Sequence, residues 1–253
     1  MSKLICRLNP ILAQGGRRYE IISILIMITV ILVMHVLGSE AKLYFPPDKM
    51  SPSSMTPNAP INYDEVYQPA EDTYLLLRAA LAEARPADSV LEIGCASGFV
   101  SLELMPLVSR LLATDINPHA VRAARARGIE VVRADLFRGI KGKFDLILFN
   151  APYLPTQSEE RTGQWIDYAL DGGENGRQTV DRFIEDLAGH LRPGGRAMLL
   201  ISSLTGLAEV RETAEAAGLT AKVVAEEGCF FERLYVLRLG TIYSSSGSGT
   251  SGT

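Results

Sequence analysis

The chain has 253 residues, 47% hydrophobic and 21% charged, which is room for one sizeable core with appendages but not for two full domains. Its net charge is −4, yet Lys3, Arg7, Arg17 and Arg18 meet no acid in the first 18 residues, which leaves 21 basic against 29 acidic residues and a net of −8 in the rest. That sign excludes nucleic-acid binding by bulk charge, and the scattered Cys6, Cys95 and Cys229, like His35, His119 and His190, show no spacing for a disulfide framework or a metal site.

In chain order, a basic segment (1–20) precedes the uncharged run "IISILIMITVILVMHVLG", 21–38. As a helix this run would reach about 27 Å against a hydrocarbon core of roughly 30 Å, so a membrane anchor is one reading. The preceding basic residues would then hold the N-terminus in the cytoplasm. A secretory signal cut after "VLG" is a second reading. The third, preferred here, starts translation at Met50 or Met55, because both membrane readings conflict with the intracellular cofactor implied below. Residues 39–60, with five prolines, read as a linker, and the tail 241–253 reads as low-complexity and disordered.

From residue 61 to 240 apolar β-rich runs alternate with helical stretches, which predicts an α/β three-layer sandwich around a seven-stranded, mostly parallel sheet with one antiparallel strand. Strands are expected at 89–94, 110–116, 130–135, 144–150, 196–202, 220–226 and 231–239. Helices are expected at 70–84, 98–108, 118–128, 178–191 and 206–218, where apolar residues recur every three or four positions. Only "EGC" joins the last two strands, so they should form an antiparallel hairpin. Gly194 and Gly195 read as a helix stop before the fifth strand.

"LEIGCASG", 91–98, places a strand, a glycine turn and a helix start where open α/β sheets bind ligands. A dinucleotide fingerprint would need glycines at 94, 96 and 99, but only Gly94 is present, followed by Ala96 and Phe99; the turn closes on Gly98 instead. Glu92 would repel a pyrophosphate and welcome a sulfonium and an amino group, which favours S-adenosyl-L-methionine over a nicotinamide dinucleotide. Asp115 ends the second strand where an acid could accept ribose hydroxyls, and Asp135 with the Leu136 amide ends the third, where they could read an adenine edge.

The fourth strand then runs into "NAPY", 150–153. A planar NH2 group attacks a methyl carbon poorly because its lone pair is delocalised. The Asn150 side-chain oxygen and the Ala151 carbonyl could accept its two hydrogens and aim the nitrogen. Pro152 would hold that carbonyl outward, and Tyr153 would offer a ring for a planar group to stack on. Without its neighbours the same stretch would be an ordinary turn.

"NAPY" resembles the [NDS]-P-P-[YFW] motif of amino-group methyltransferases. Together with "VYQPAEDTYLLL" (66–77) and "DGGENGR" (171–177) it resembles the HemK/PrmC-related branch of class I S-adenosylmethionine-dependent methyltransferases, specifically the eukaryotic and archaeal type. That resemblance, over 61–239, implies a Rossmann-like fold and N5-methylation of the glutamine in the Gly-Gly-Gln of a class 1 peptide chain release factor. It implies cofactor contacts at Thr73, Glu92, Gly94, Asp115, Asp135, Leu136 and Asn150, with Asn150 to Tyr153 on the glutamine amide. It also implies a small zinc-binding activator subunit, for which the strand around "IEVVRA", with Val131, is the candidate edge, and a cytoplasmic catalytic domain. Ala151 and Ala96 depart from the family pattern without removing a functional group. The alternatives are a DNA or RNA adenine N6-methyltransferase, which the negative body disfavours, and a membrane-tethered binding protein with a vestigial pocket. The long connection 154–177 should be ordered by Trp165 over the substrate channel.

Overall fold

The computed structural model describes residues 60–242; the segments 1–20 and 21–38, the linker up to residue 59 and the tail from 243 lie outside the described residues. Among the described residues no helix is long and apolar enough to cross a membrane.

The strands are β1 (Ser89–Ile93), β2 (Arg110–Asp115), β3 (Val131–Arg133), β4 (Phe144–Asn150), β5 (Leu191–Ser202), β6 (Leu219–Gly228) and β7 (Arg233–Thr241). The helices are α1 (Glu71–Glu83), α2 (Phe99–Leu104), α3 (Pro118–Ala126), α4 (Asp167–Leu170), α5 (Gln178–His190) and α6 (Leu207–Ala216). The strands form one sheet in the order β3-β2-β1-β4-β5-β7-β6. β1 to β5 pair in parallel, while β7 runs antiparallel to both β5 and β6, as the short last connection required.

Leu146, Ile147 and Leu148 of β4 are fully buried, because helices cover both faces of the sheet. Val90, Leu146, Leu148, Met198, Leu200, Leu234 and Val236 pack with α1, α2 and α3 on one face. Leu91, Ile93, Ile147, Phe149 and Leu199 pack with α5 and α6 on the other. Each such side chain contributes about 1.5–3 kcal/mol by leaving water.

At the strands' N-terminal end, fully buried Arg196 opens the regular part of β5. It donates to both oxygens of Asp88 at 3.1 and 2.7 Å and to a carboxylate oxygen of Glu83 at 3.3 Å. This network pins the last turn of α1 to that end of the sheet, so the first turn of α1 rises toward the opposite end, where the site lies.

Two local expectations are corrected. α5 stops at His190, and β5 begins at once with the irregular "LRPGG", whose register slips between Phe144 and Leu146 of β4. Gly194 and Gly195 therefore form a bulge rather than a helix stop, and a Cβ on Gly195 would lie 2.9 Å from the Phe144 carbonyl. β3, the expected edge, is an edge of only three residues. Val131 is turned inward at 5% exposure, and Val132 is the one that shows, at 40%.

Candidate active site

The strand order reverses between β1 and β4, each paired with the other, so the crevice opens at their C-terminal ends. Gly94 leaves β1 with φ +64° and Gly98 enters α2 with φ +76°. Both need the left-handed region, and a Cβ on Gly98 would lie 2.4 Å from Ile129 Cδ1. Ala96 between them also has a positive φ, +48°. The turn is tied down by Cys95 N–H to the Thr114 carbonyl at 2.9 Å and by Ala96 N–H to Asp115 Oδ2 at 2.8 Å.

Asp115 and Glu92 are 8% and 5% exposed. Asp115 also accepts from Asn117 N–H at 2.8 Å, and Glu92 accepts from the Ser101 hydroxyl. Burial pushes Glu92 up to about 7, with the Asp115 charge adding to it against the Ser101 bonds. Burial also pushes Asp115 up to about 6, against three backbone donors. Two buried carboxylates held only by neutral donors are a site that favours a cation. The Cys95 thiol beside them is pushed well up by burial and by both acids, which makes it a poor nucleophile.

Asp135 follows the end of β3, half-buried and paired with Arg182 at 2.7 Å. Leu136, next to it, has φ +50° and is buried. Thr73, in the first turn of α1, is buried, and its hydroxyl is already used: it accepts from Ala70 N–H at 3.3 Å and donates to Asp72 Oδ1 at 3.2 Å. It caps the helix rather than pointing an unused group at the crevice.

Asn150 ends β4 on the same face as Glu92, since 148 and 150 share the side of Leu148. Its Oδ1 is buried and has no hydrogen-bond partner. Ala151 is fully buried and Pro152 is buried. Tyr153 is 1% exposed within the α1-side core, so its ring is packed and does not offer the open stacking face expected of it.

The segment after Tyr153 folds back on itself. Gly172 N–H reaches the Leu154 carbonyl at 2.9 Å, Thr156 N–H the Gly173 carbonyl at 3.0 Å, and Leu154 N–H the Leu170 carbonyl at 3.1 Å. A Cβ on Gly176 would lie 2.6 Å from the Tyr153 carbonyl, and one on Gly172 would lie 2.8 Å from Gly176 backbone. "DGGENGR" is thus a clasp on the end of "NAPY", and Gly172 and Gly176 are demanded by backbone against backbone. Trp165 ties the connection to Glu65 and β3: its backbone N–H bonds Glu65 Oε2 at 2.8 Å and Arg133 stands over its ring at 5.1 Å.

Sequence reasoning missed Ser101, Asn117, Glu65, Ser202 and Glu232. Of these Asn117 had a signal, since an Asn before "PH" is a helix cap, and its side chain does accept from His119 N–H at 2.8 Å.

Comparisons with known proteins give the chain its relatives. A family described as "Methyltransferase domain" matches residues 90–171. The chain is 39% identical over 182 residues to a Methanocaldococcus jannaschii protein named as a protein N5-glutamine methyltransferase, covering 69% of this chain and 91% of that one. It is 33% identical over 192 residues to Methyltransferase HEMK2 of Homo sapiens, covering 70% and 90%. Among solved structures, an E. cuniculi Mtq2-Trm112 complex responsible for methylating the eRF1 translation termination factor aligns at TM-score 0.61 and 27% identity, over 70% of this chain and 99% of that one.

Proposed function

Since this chain belongs to the family of protein glutamine N5-methyltransferases, we propose that it methylates the side-chain amide of the glutamine in the Gly-Gly-Gln of a class 1 peptide chain release factor. The methyl donor is S-adenosyl-L-methionine, and the catalytic domain is residues 61–240. The observation that carries this is the buried, unpartnered Oδ1 of Asn150 at the end of β4, on the same face as buried Glu92 of β1.

The residues present suit the donor: Glu92 and Asp115 are buried, pushed toward neutrality and without a cationic partner among their hydrogen bonds, so a cationic ligand relieves them. Gly94, Gly98, Asp135 and Leu136 complete its wall. When bound, the donor supplies a methyl carbon on cationic sulfur; a bond forms from the amide nitrogen to that carbon as the carbon–sulfur bond breaks, the electron pair stays on sulfur, and the nitrogen loses a proton to solvent. Asn150 Oδ1 accepts one amide hydrogen and the Ala151 carbonyl the other, so the nitrogen is oriented and its developing positive charge meets two oxygen dipoles. Pro152 and the "DGGENGR" clasp keep that carbonyl in place. Holding the reactants so can supply roughly 7–11 kcal/mol of the barrier, with no acid or base required.

A small zinc-binding activator subunit fits the β3 edge, where Val132 is exposed and no further strand is paired among the described residues. A donor and a substrate of these kinds support a cytoplasmic catalytic domain. The test incubates the full chain, with and without such a subunit, with labelled donor and either a release factor or a DNA oligonucleotide. Label on the release factor is expected; label on the oligonucleotide alone overturns the reading in favour of adenine.

A further inference from the structure

Glu232 stands in the turn between β6 and β7 and is 6% exposed. Its Oε2 accepts from the hydroxyl of fully buried Ser202, the last residue of β5, whereas its Oε1 is buried with no hydrogen-bond partner. Leaving a buried acceptor without a donor is costly, so this oxygen needs a reason.

Its place in the sheet supplies one. The register pairs Asn150 with Leu200 and Ser202 with Leu234. Side chains alternate along strands, and Leu148, Leu200 and Leu234 lie in one cluster under α1, so Asn150, Ser202 and Glu232 share that face. With strands about 4.8 Å apart and a rise of about 3.3 Å per residue, the Cα of Ser202 is about 8 Å from that of Asn150. α1 is pinned at Glu83 to Arg196 and to Arg238 at the far end. Its 13 residues reach about 20 Å, the same rise as β5 from Arg196 to Ser202. The first residue of α1, Glu71, thereby comes to this rim, and its Oε2 is likewise buried and unpartnered. Phe230 and Phe231, packed edge to face and 60% and 52% exposed, stand just before Glu232.

We infer that Glu232 determines substrate specificity at the transferase site: its Oε1 accepts a main-chain N–H of the polypeptide next to the target glutamine. This rests on the function proposed above. A pure acceptor suits an N–H and rejects a carbonyl, and glycines beside the target leave their N–H groups unscreened by side chains. Asn150 and Ala151 recognise any planar NH2 group, including that of a nucleobase; Glu232 adds a requirement that only a polypeptide meets, and the two phenylalanines cover the chain that enters.

The test is Glu232→Gln in the full chain, assayed with a class 1 release factor with and without the zinc-binding subunit. Ser202 keeps its acceptor on the new amide oxygen, which leaves an NH2 facing the substrate N–H. KM for the release factor is expected to rise tenfold or more, while kcat and donor Kd stay near wild type. A second arm replaces each residue flanking the glutamine by proline, which has no N–H. One proline should raise the wild-type KM by a similar factor and that of Glu232→Gln very little. If Glu232→Gln does not fold, Glu232→Asp, which draws the carboxylate back, is read in the same two arms. Unchanged KM, or losses that add at every proline position, overturns the inference alone. A wild type that binds donor but transfers nothing to the release factor overturns the underlying reading as well.

Discussion

The β1–β2 end and the β4–β5 end of the same crevice are built differently. At the first, Glu92, Asp115 and Asp135 each hold a protein partner: Ser101, the amides of residues 96 and 117, and Arg182. At the second, Asn150 Oδ1 and Glu232 Oε1 are buried with none. Under the proposed function the first is a donor side assembled in advance, and the second an acceptor side that leaves hydrogen-bonding capacity for what it binds. A change on the acceptor side should therefore reach transfer, through kcat at Asn150 and through KM at Glu232, while sparing donor binding, and one on the donor side should weaken donor binding.

The sharpest way to break that contrast is Asn150→Ala. Removing one preorganised partner of the reacting group lowers transfer by about 10²–10³-fold or more. Single-turnover assays should show that loss, with calorimetry finding donor Kd within about twofold of wild type. A fully active variant would remove the mechanism.

Gly176→Ala comes next. Its Cβ would meet the Tyr153 carbonyl at 2.6 Å from a backbone with φ +70°. Both faults together cost about 3 kcal/mol. Urea unfolding should show the lower midpoint, and transfer should fall as residues 151–153 lose their clasp, again with donor Kd little changed.

These outcomes also bear on what could be read from the chain itself. The sheet was legible because its strands are apolar runs separated by glycine and proline turns, and β7 declared itself antiparallel by a connection too short to cross over. Asn150, Glu92 and Asp115 were legible because each is a polar residue closing an apolar strand. Glu232 was not: it lies in a hairpin turn, where an acid is unremarkable, and only the Ser202↔Leu234 register with the hydrogen bond from Ser202 brings it to the rim. The packed ring of Tyr153 and the position of Trp165 escaped for the same reason, since pattern gives the face of an element but not what a loop folds back onto. The "DGGENGR" glycines were recognisable as a motif, yet the cause of Gly176, contact with the Tyr153 carbonyl, appears only in three dimensions.

On the donor side the lever is pH. Glu92 and Asp115 titrate near 7 and 6 when the crevice is empty, above ordinary carboxylates. The folded protein therefore holds protons that the unfolded chain has released, and stability falls as pH rises from about 4 through 7. A cationic donor prefers both acids ionised, so its binding should release protons and tighten as pH rises from 5 to 7.5, by at most tenfold per unit for each group. Calorimetry in buffers of different ionisation enthalpy counts those protons. Asp115→Asn should weaken donor binding about tenfold and leave a single step from Glu92, moved below 7 because the Asp115 charge no longer raises it. A flat profile in the wild type would mean that the acids do not face the donor's charge.

The smallest effect concerns Ala96, which holds φ +48° between Gly94 and Gly98. A left-handed alanine costs about 1–2 kcal/mol, whereas glycine there would add about 0.4–1 kcal/mol of unfolded-state entropy. Ala96→Gly should therefore raise stability by up to about 1 kcal/mol, seen as a higher urea midpoint at unchanged slope. The amide at 96 still donates to Asp115 whichever residue carries it, so donor Kd and turnover should hold. Should Kd instead weaken, the methyl group of Ala96 would be doing more than occupying a strained turn: it would be limiting the turn's motion, and the assembled character of the donor side would depend on that stiffness as well as on its hydrogen bonds.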